Sequence, residues 1–398
     1  MKRILDQYAW HDDYRISSEN VDRVLTPALA IFPDIVDANI STTLRLLGGD
    51  PSRWRPHVKT AKLGYVMRRL VEHGVRNFKC ATTLELRTAL EVGAEDVLLA
   101  YPVIGPAAER VEQIADEFPS ARASVLVESE AQVPQWRGSR IGIFVDLNPG
   151  MNRTGVAPQQ HRDVLNLVRA ITNVGLEFRG LHYYDGQLGS LDFSERTATA
   201  HRGYDELMSL VAELDRAGFP VAEVITAGTP AFPCSIAYAA FRNAAFVHRV
   251  SPGTVVYSDA TSLSQLPAEY GYRPGALVLS RVVSHPTAKI VTCDAGHKTV
   301  SADAGLPTCI AIGHPELRGL FPSEEHLPFE VLNGAAAPKL GNVLYLLPRH
   351  ICPSVNNFDH ALMVSDGKIE AVEPVTARGR EAPVLQTARL QESAVTRG

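Results

Sequence analysis

Cysteine is scarce in this chain: five among 398 residues, Cys80, Cys234, Cys293, Cys309 and Cys352, with no CxxC spacing. An odd and scattered set excludes a disulfide framework and points to a reducing compartment, so the cytoplasm is the expected location. Long apolar runs are missing as well. No stretch reaches the ~18 residues that a membrane helix needs. Positive charge is not in excess, since 39 Lys and Arg face 44 Asp and Glu for a net charge of -5. That balance leaves no electrostatic footprint for nucleic acid. The basic start Met1-Lys2-Arg3 is soon interrupted by Asp6, His11, Asp12 and Asp13, which does not read as a secretory signal. Internal repeats and low-complexity tracts are absent. What is present is ordinary globular material, 45% hydrophobic and 21% charged. Its length suits a barrel of ~250 residues with a smaller second domain.

From about Leu25 to Thr229, short apolar runs alternate with amphipathic stretches. The expected strands are Pro27–Phe32, Trp54–Thr60, Asn77–Thr82, Val97–Tyr101, Ala123–Glu128, Ile141–Leu147, Phe178–Tyr184 and Val221–Ala227. Helical periodicity follows most of them, at Leu63–His73, Leu84–Val92, Ala107–Glu117, His161–Val174 and Tyr204–Ala217. An open doubly wound sheet would look similar locally, but eight strands favour a closed (β/α)8 barrel of the TIM type. Beyond Thr229 the texture becomes strands and turns: Ala276–Ser284, Ala288–Cys293, Val331–Leu332, Val343–Leu347, and a hairpin of Ala361–Val364 with Lys368–Val372 through Asp366-Gly367. The expectation is an α/β barrel over 25–255 and a mainly antiparallel β domain over 256–380, with residues 1–24 packing on the latter. The tail Gln386–Gly398 reads as frayed.

Arg55-Pro56-His57-Val58-Lys59-Thr60 puts a lysine at the C-terminal end of the second expected barrel strand. Barrel chemistry sits at those ends, and a lysine there can form a Schiff base. A loop lysine without chemistry fits the same residues. Ala227-Gly228-Thr229-Pro230, after the last expected barrel strand, offers donors to a phosphate or is a plain turn. Arg153 lies in the Gly-containing loop Asp146–Val156 after the sixth expected strand. Ser251-Pro252-Gly253-Thr254, with Tyr257 and Asp259, marks the passage between domains. His350-Ile351-Cys352 would aim both side chains at one ion on an extended segment, although a buried histidine and a core cysteine explain it equally.

In combination these motifs resemble the D-threonine aldolase and D-serine dehydratase family, fold-type III pyridoxal-phosphate enzymes with an alanine racemase-like barrel. The resemblance spans about Leu25 to Arg378. It rests on Arg-Pro-His-Val-Lys59-Thr, Gly-Met-Asn-Arg153-Thr-Gly-Val, Ala-Gly228-Thr229, Pro-Gly253-Thr-X-X-Tyr257-X-Asp259, Asp294-Ala-Gly-X-Lys298 and His350-Ile-Cys352-Pro. It implies that Lys59 carries pyridoxal 5'-phosphate and that Arg153 approaches the cofactor's phenolic oxygen. Gly228 and Thr229 would hold the phosphate, with Gly253 and Tyr257 helping. Tyr184, in Gly180–Gly186 on the seventh expected strand, would contact the cofactor, with Tyr183 as the neighbouring candidate.

The resemblance also implies a divalent metal on His350 and Cys352, and a homodimer. Dehydratases of the family carry His-X-Cys, which favours Zn²⁺, and aldolases His-X-Asp, which suits Mn²⁺. The segments Asp294–Pro307 and Glu324-Glu325-His326 are closer to the aldolase version. Ala61 and Asp185 depart from the family pattern. The implied activity is a lyase on D-β-hydroxy amino acids: first, retro-aldol cleavage to glycine and an aldehyde. The alternative is dehydration of D-serine, D-threonine or 3-hydroxyaspartate to a 2-oxo acid and ammonia. Behind these stand an amino-acid racemase and a non-catalytic carrier of the cofactor.

Overall fold

A computed structural model describes residues 14–385. The tail Gln386–Gly398 and residues 1–13 of the N-terminal segment lie outside the described residues. Strand β1 is Ala28–Ile31, and seven parallel strands follow it. These are β2 (Asn77–Cys80), β3 (Asp96–Leu99), β4 (Arg122–Val127), β5 (Gly142–Leu147), β6 (Phe178–Tyr183), β7 (Glu223–Thr226) and β8 (Val247–Val250). They pair in sequence order from β2 to β8. Residues 54–58 close the ring: Trp54 bridges Val250 and His57 bridges Lys79, both in parallel. The Arg55 N–H donates to Val250 O at 2.9 Å and the Lys79 N–H to Pro56 O at 2.9 Å. The barrel therefore has eight parallel segments, the first of them short.

Two strand assignments change. Pro27–Phe32 was expected in the barrel, but β1 joins the second sheet. It runs antiparallel to β9 (Ala276–Thr287) and parallel to β15 (His360–Ser365). Ala-Leu-Ala-Ile is apolar on both faces, as any central strand is, so its pattern cannot say which sheet it enters. The missing eighth strand is Val-His-Arg-Val, too polar to register as a buried run. Lys59 hence follows the first barrel segment, Arg153 the fifth, Tyr184 the sixth and Gly228 the seventh.

The second sheet adds β10 (Ile290–Cys293), β11 (Cys309–Ala311), β12 (Leu317–Gly319), β13 (Leu327–Val331), β14 (Val343–Pro348) and β16 (Lys368–Pro374). Its order is β12-β13-β10-β9-β1-β15-β16, with β14 joining β9 to β11. All pairs but β1–β15 are antiparallel. Asp366 and Gly367 both take positive φ (48° and 74°), as the expected hairpin turn requires. Tyr14 and Ile16 pack into this domain's core. The helices follow the expected periodicity, at Gly64–Glu72, Thr83–Glu91, Pro106–Glu117 and His161–Asn173. The last expected helix is longer, Phe193–Arg216.

Inward-facing side chains fill the barrel in layers. At the floor, Arg55 bonds Asp96 (3.0 Å) and Glu223 (2.9 Å), and Arg179 bonds Asp96 (2.6 Å). Burial pushes the Asp96 carboxyl up, but the two guanidinia outweigh it and hold it well below the usual range. Above lies an apolar layer of Leu98, Leu126, Phe144 and Ile225. Arg55 and Arg179 both lie against the Phe144 ring, at 5.9 and 5.3 Å from its centroid. This packed plug leaves chemistry to the C-terminal end.

Candidate active site

A cleft of about 230 Å³ opens at that end, where barrel and second domain meet. Lys59, Thr60, Tyr184, Gly228, Thr229 and Gly253 line it from the barrel. His350 and Cys352 line it from the second domain. Sequence positions as far apart as 59 and 352 thus converge, because the second domain packs its His350–Cys352 segment over the C-terminal mouth of the barrel. Arg153 and Tyr257 do not line it. Arg153 instead stacks its guanidinium 5.0 Å from the Tyr184 ring centroid. The Tyr257 side chain is fully buried and donates its hydroxyl to Ala61 O at 2.9 Å. Tyr257 thereby braces the Lys59 segment from below.

The glycines are needed for shape. A Cβ on Gly228 would lie 2.7 Å from Tyr184 Cε2, and one on Gly253 would collide with the His57 carbonyl. Tyr184 and the first barrel segment thereby approach the two loops as closely as backbone allows. Behind the Gly228 loop, the buried Arg196 donates to the carbonyls of Pro230 (3.0 Å), Gln265 (2.8 Å) and Leu191 (2.9 Å). Nothing local in the sequence marks it. The Ser251 hydroxyl is buried in the cleft without any hydrogen-bond partner.

His350 and Cys352 do not sit on an extended segment. His350 caps a short helix, Ile351–Val355, and is itself extended. The two side chains still meet, because the extended backbone of His350 lets its ring fold over the first turn and hydrogen-bond Cys352. The His350 Nδ1 sits 2.6 Å from Asp303 Oδ2, which leaves Nε2 for another partner. Burial lowers the imidazole's pKa, yet Cys352 and Asp303 raise it further, to about 9. Burial pushes the Cys352 thiol up, and His350 and Lys59 pull it below its ordinary value. Its sulfur is 3.0 Å from Thr60 Oγ1.

Asp259 fastens the pair to the barrel. One carboxylate oxygen accepts from the Ser262 N–H (2.8 Å) and the other from the Ile351 N–H (3.0 Å), so one side chain caps two helices. Among the described residues, no three His, Cys, Asp or Glu side chains gather around one point.

Three residues of the barrel interior were not singled out by the sequence. Lys79, His182 and Asp146 form a chain: Lys79 Nζ lies 3.2 Å from His182 Nε2, and His182 Nδ1 lies 2.7 Å from Asp146 Oδ1. The available signals were Lys79, a charge between the apolar Phe78 and Cys80, and His182 within the Gly180–Gly186 segment. Asp185 turns away from the cleft. It accepts from the Tyr204 hydroxyl at 2.6 Å, and burial raises its pKa to about 6 against the pull of Tyr204.

Residues 31–261 match the family of the alanine racemase N-terminal domain, and the chain belongs to that family. Residues 275–364 match a second family, described as "Putative serine dehydratase domain". The D-threonine aldolase of an Arthrobacter species is 28% identical over 366 residues, covering 90% of this chain and 93% of that protein. The D-threo-3-hydroxyaspartate dehydratase of Delftia sp. (strain HT23) is 24% identical, covering 87% and 96%. The crystal structure of D-threonine aldolase from Filomicrobium marinum superposes with a TM-score of 0.82 at 28% identity, covering 90% of this chain and 97% of that one.

Proposed function

We propose that the chain is a pyridoxal-phosphate- and metal-dependent lyase that cleaves D-β-hydroxy amino acids to glycine and an aldehyde. One observation carries this: Lys59 and the His350–Cys352 pair line one cleft, although 291 residues separate Lys59 from His350. The likeness to D-threonine aldolases over nine-tenths of the chain supports it. The residues fit the cofactor. The Gly228 and Gly253 loops make a cradle that any side chain would fill, and the orphaned Ser251 hydroxyl gains a partner when a polar ring enters. When bound, pyridoxal phosphate supplies an electron sink for the bond broken at Cα. Lys59 would hold it covalently, Gly228 and Thr229 its phosphate, and Tyr184 one face of its ring.

The donor set also fits a divalent ion. His350 is oriented by a carboxylate on its far nitrogen, as metal-bound histidines are, and Cys352 is biased towards thiolate. Such an ion supplies a Lewis acid at the substrate's β-hydroxyl. With two protein donors it keeps positions open for substrate. Cys352 also favours a second reading, dehydration to a 2-oxo acid and ammonia, because the softer thiolate selects Zn²⁺.

D-Threonine with cofactor and metal separates the two: glycine and acetaldehyde are expected, whereas a 2-oxo acid with ammonia would establish the dehydratase. Borohydride should fix the cofactor on Lys59, and Lys59→Ala should abolish that linkage while the fold survives. Retention of a reducible linkage in that variant would remove the whole reading.

A further inference from the structure

We propose that Lys79 is a second acid–base group of this cleft, exchanging a proton with the amino acid bound beside Lys59 through an amine held by His182 and Asp146. The inference rests on the lyase reading. Lys79 lines the cleft together with Lys59, its side chain rising from the barrel interior. It is 2% exposed, and its Nζ lies 5.6 Å from the centroid of the Tyr184 ring.

The direction of the hydrogen bonds follows from the far end of the chain. Asp146 accepts from the Thr154 hydroxyl at 2.7 Å and from the His182 Nδ1–H at 2.7 Å. Burial alone would raise its pKa, and these two donors hold it below the ordinary value, so it is a carboxylate. Burial and then Lys79 lower the His182 pKa, which keeps the imidazole neutral with its proton on Nδ1. Nε2 therefore offers a lone pair, and Lys79 donates to it whether amine or ammonium.

A purely structural lysine would be built differently. On the barrel floor, Arg55 and Arg179 touch carboxylates directly. Among the described residues Lys79 makes no ion pair: an imidazole stands between it and the carboxylate. Burying an amine this way costs stability that a methionine would not, and the amine it leaves can titrate near neutrality.

Burial first, and then the Lys59 charge, push its pKa down to about 7 against the pull of Asp146. The groups facing it are Lys59 and His57 from the first barrel segment, Asp146 from β5, and His182 from β6. Arg153, Tyr184 and Asp185 face it from the loops beyond. As the neutral amine, Lys79 takes a proton from the bound molecule. The electron pair of the broken bond stays with the substrate, and the new ammonium is held by His182 Nε2. Returning that proton to the product restores the amine, so no further reactant is required.

The test uses holoenzyme, with Lys79→Met and Lys79→Arg beside the wild type. Both variants should keep the borohydride-fixed cofactor. Both should lose turnover by roughly 10²-fold or more. The wild-type rate should rise with pH as the amine loses its proton, below the ordinary lysine range because burial, the largest cause of the shift, persists when Lys59 holds the cofactor, and that limb should vanish in the variants. Wild-type activity or an unchanged pH limb in Lys79→Met would overturn the proposal, as would full activity in Lys79→Arg, which keeps charge but no base. Carbon-13 labelling of the lysine Cε positions gives an independent readout in the unaltered protein. One resonance should titrate near pH 7, and if none titrates below about 9 the proposal fails. A reducible linkage surviving in Lys59→Ala would instead strike the lyase reading and leave the Lys79 titration standing on its own.

Discussion

At the scale of single residues, the cleft depends on what Gly228 lacks. Its missing Cβ is the space that the Tyr184 ring uses, with the nearest ring carbon 2.7 Å away. Gly228→Val must push that ring into the cleft, because the Arg196 clamp holds the loop behind it. Cofactor affinity, measured by titrating the protein without cofactor, should then fall by about 10-fold or more. The melting temperature of the same cofactor-free protein should change little. Unchanged affinity would put the phosphate on another loop.

Lys59, Gly228 and Gly253 were legible because each sits in a local motif whose residues need only their chain neighbours. The pairing of Lys79 with His182 was not, since 103 residues separate them and Lys79 belongs to no motif, while His182 lies in the Gly180–Gly186 segment without a sign of its partner. Tyr257 shows a related limit: it sits in a local motif, but the direction of its side chain depends on Ala61, far away in sequence.

At the scale of elements, the same limit decides which strands could be assigned. The parallel strands β3 to β5 and β7 carry mostly apolar stretches, and β2 and β6 were readable from the helical periodicity that follows or precedes them. β8 was hidden by His248 and Arg249, one facing outward to Thr226 (2.8 Å) and the other joining the floor at Glu223. β1 shows the converse, an apolar run whose sheet is fixed only by β9 and β15. The floor network links five barrel segments through Arg55, Asp96, Arg179, Glu223 and Arg249, so its cost of disruption should far exceed that of a surface pair. Glu223→Ala leaves Arg55 with Asp96 as its one remaining carboxylate and removes the Arg249 partner. It should cost roughly 3–5 kcal/mol by chemical denaturation. Glu177→Ala, which frees Arg122 in a pair more than half exposed on both sides, should cost less than about 1 kcal/mol. Equal losses would mean that the floor charges are compensated by water rather than by one another.

At the scale of the whole molecule, the two domains contribute separable halves of the cleft. The barrel brings Lys59 and the glycine loops, and the second domain brings His350 and Cys352, docked by Asp259 and by Thr261, whose hydroxyl donates to Arg349 O at 2.7 Å. If the pair holds a catalytic ion, a chelator should abolish turnover and leave the visible cofactor band intact, since no barrel group that would hold the cofactor is a metal donor. Adding a divalent ion back should restore turnover. His350→Ala should lose metal and activity together. Asp303→Asn, which weakens the grip on His350 Nδ1, should reduce metal affinity by about 10- to 100-fold with the cofactor band unchanged. Cys352→Asp then separates the two chemistries. An aldolase should tolerate the carboxylate and shift its preference to a harder ion such as Mn²⁺, whereas a dehydratase that needs thiolate-bound Zn²⁺ should lose its 2-oxo acid product. Full activity after exhaustive chelation, with no metal found by elemental analysis, would remove the ion from both versions. It would leave the proton transfers to the barrel's own lysines, the arrangement a racemase requires.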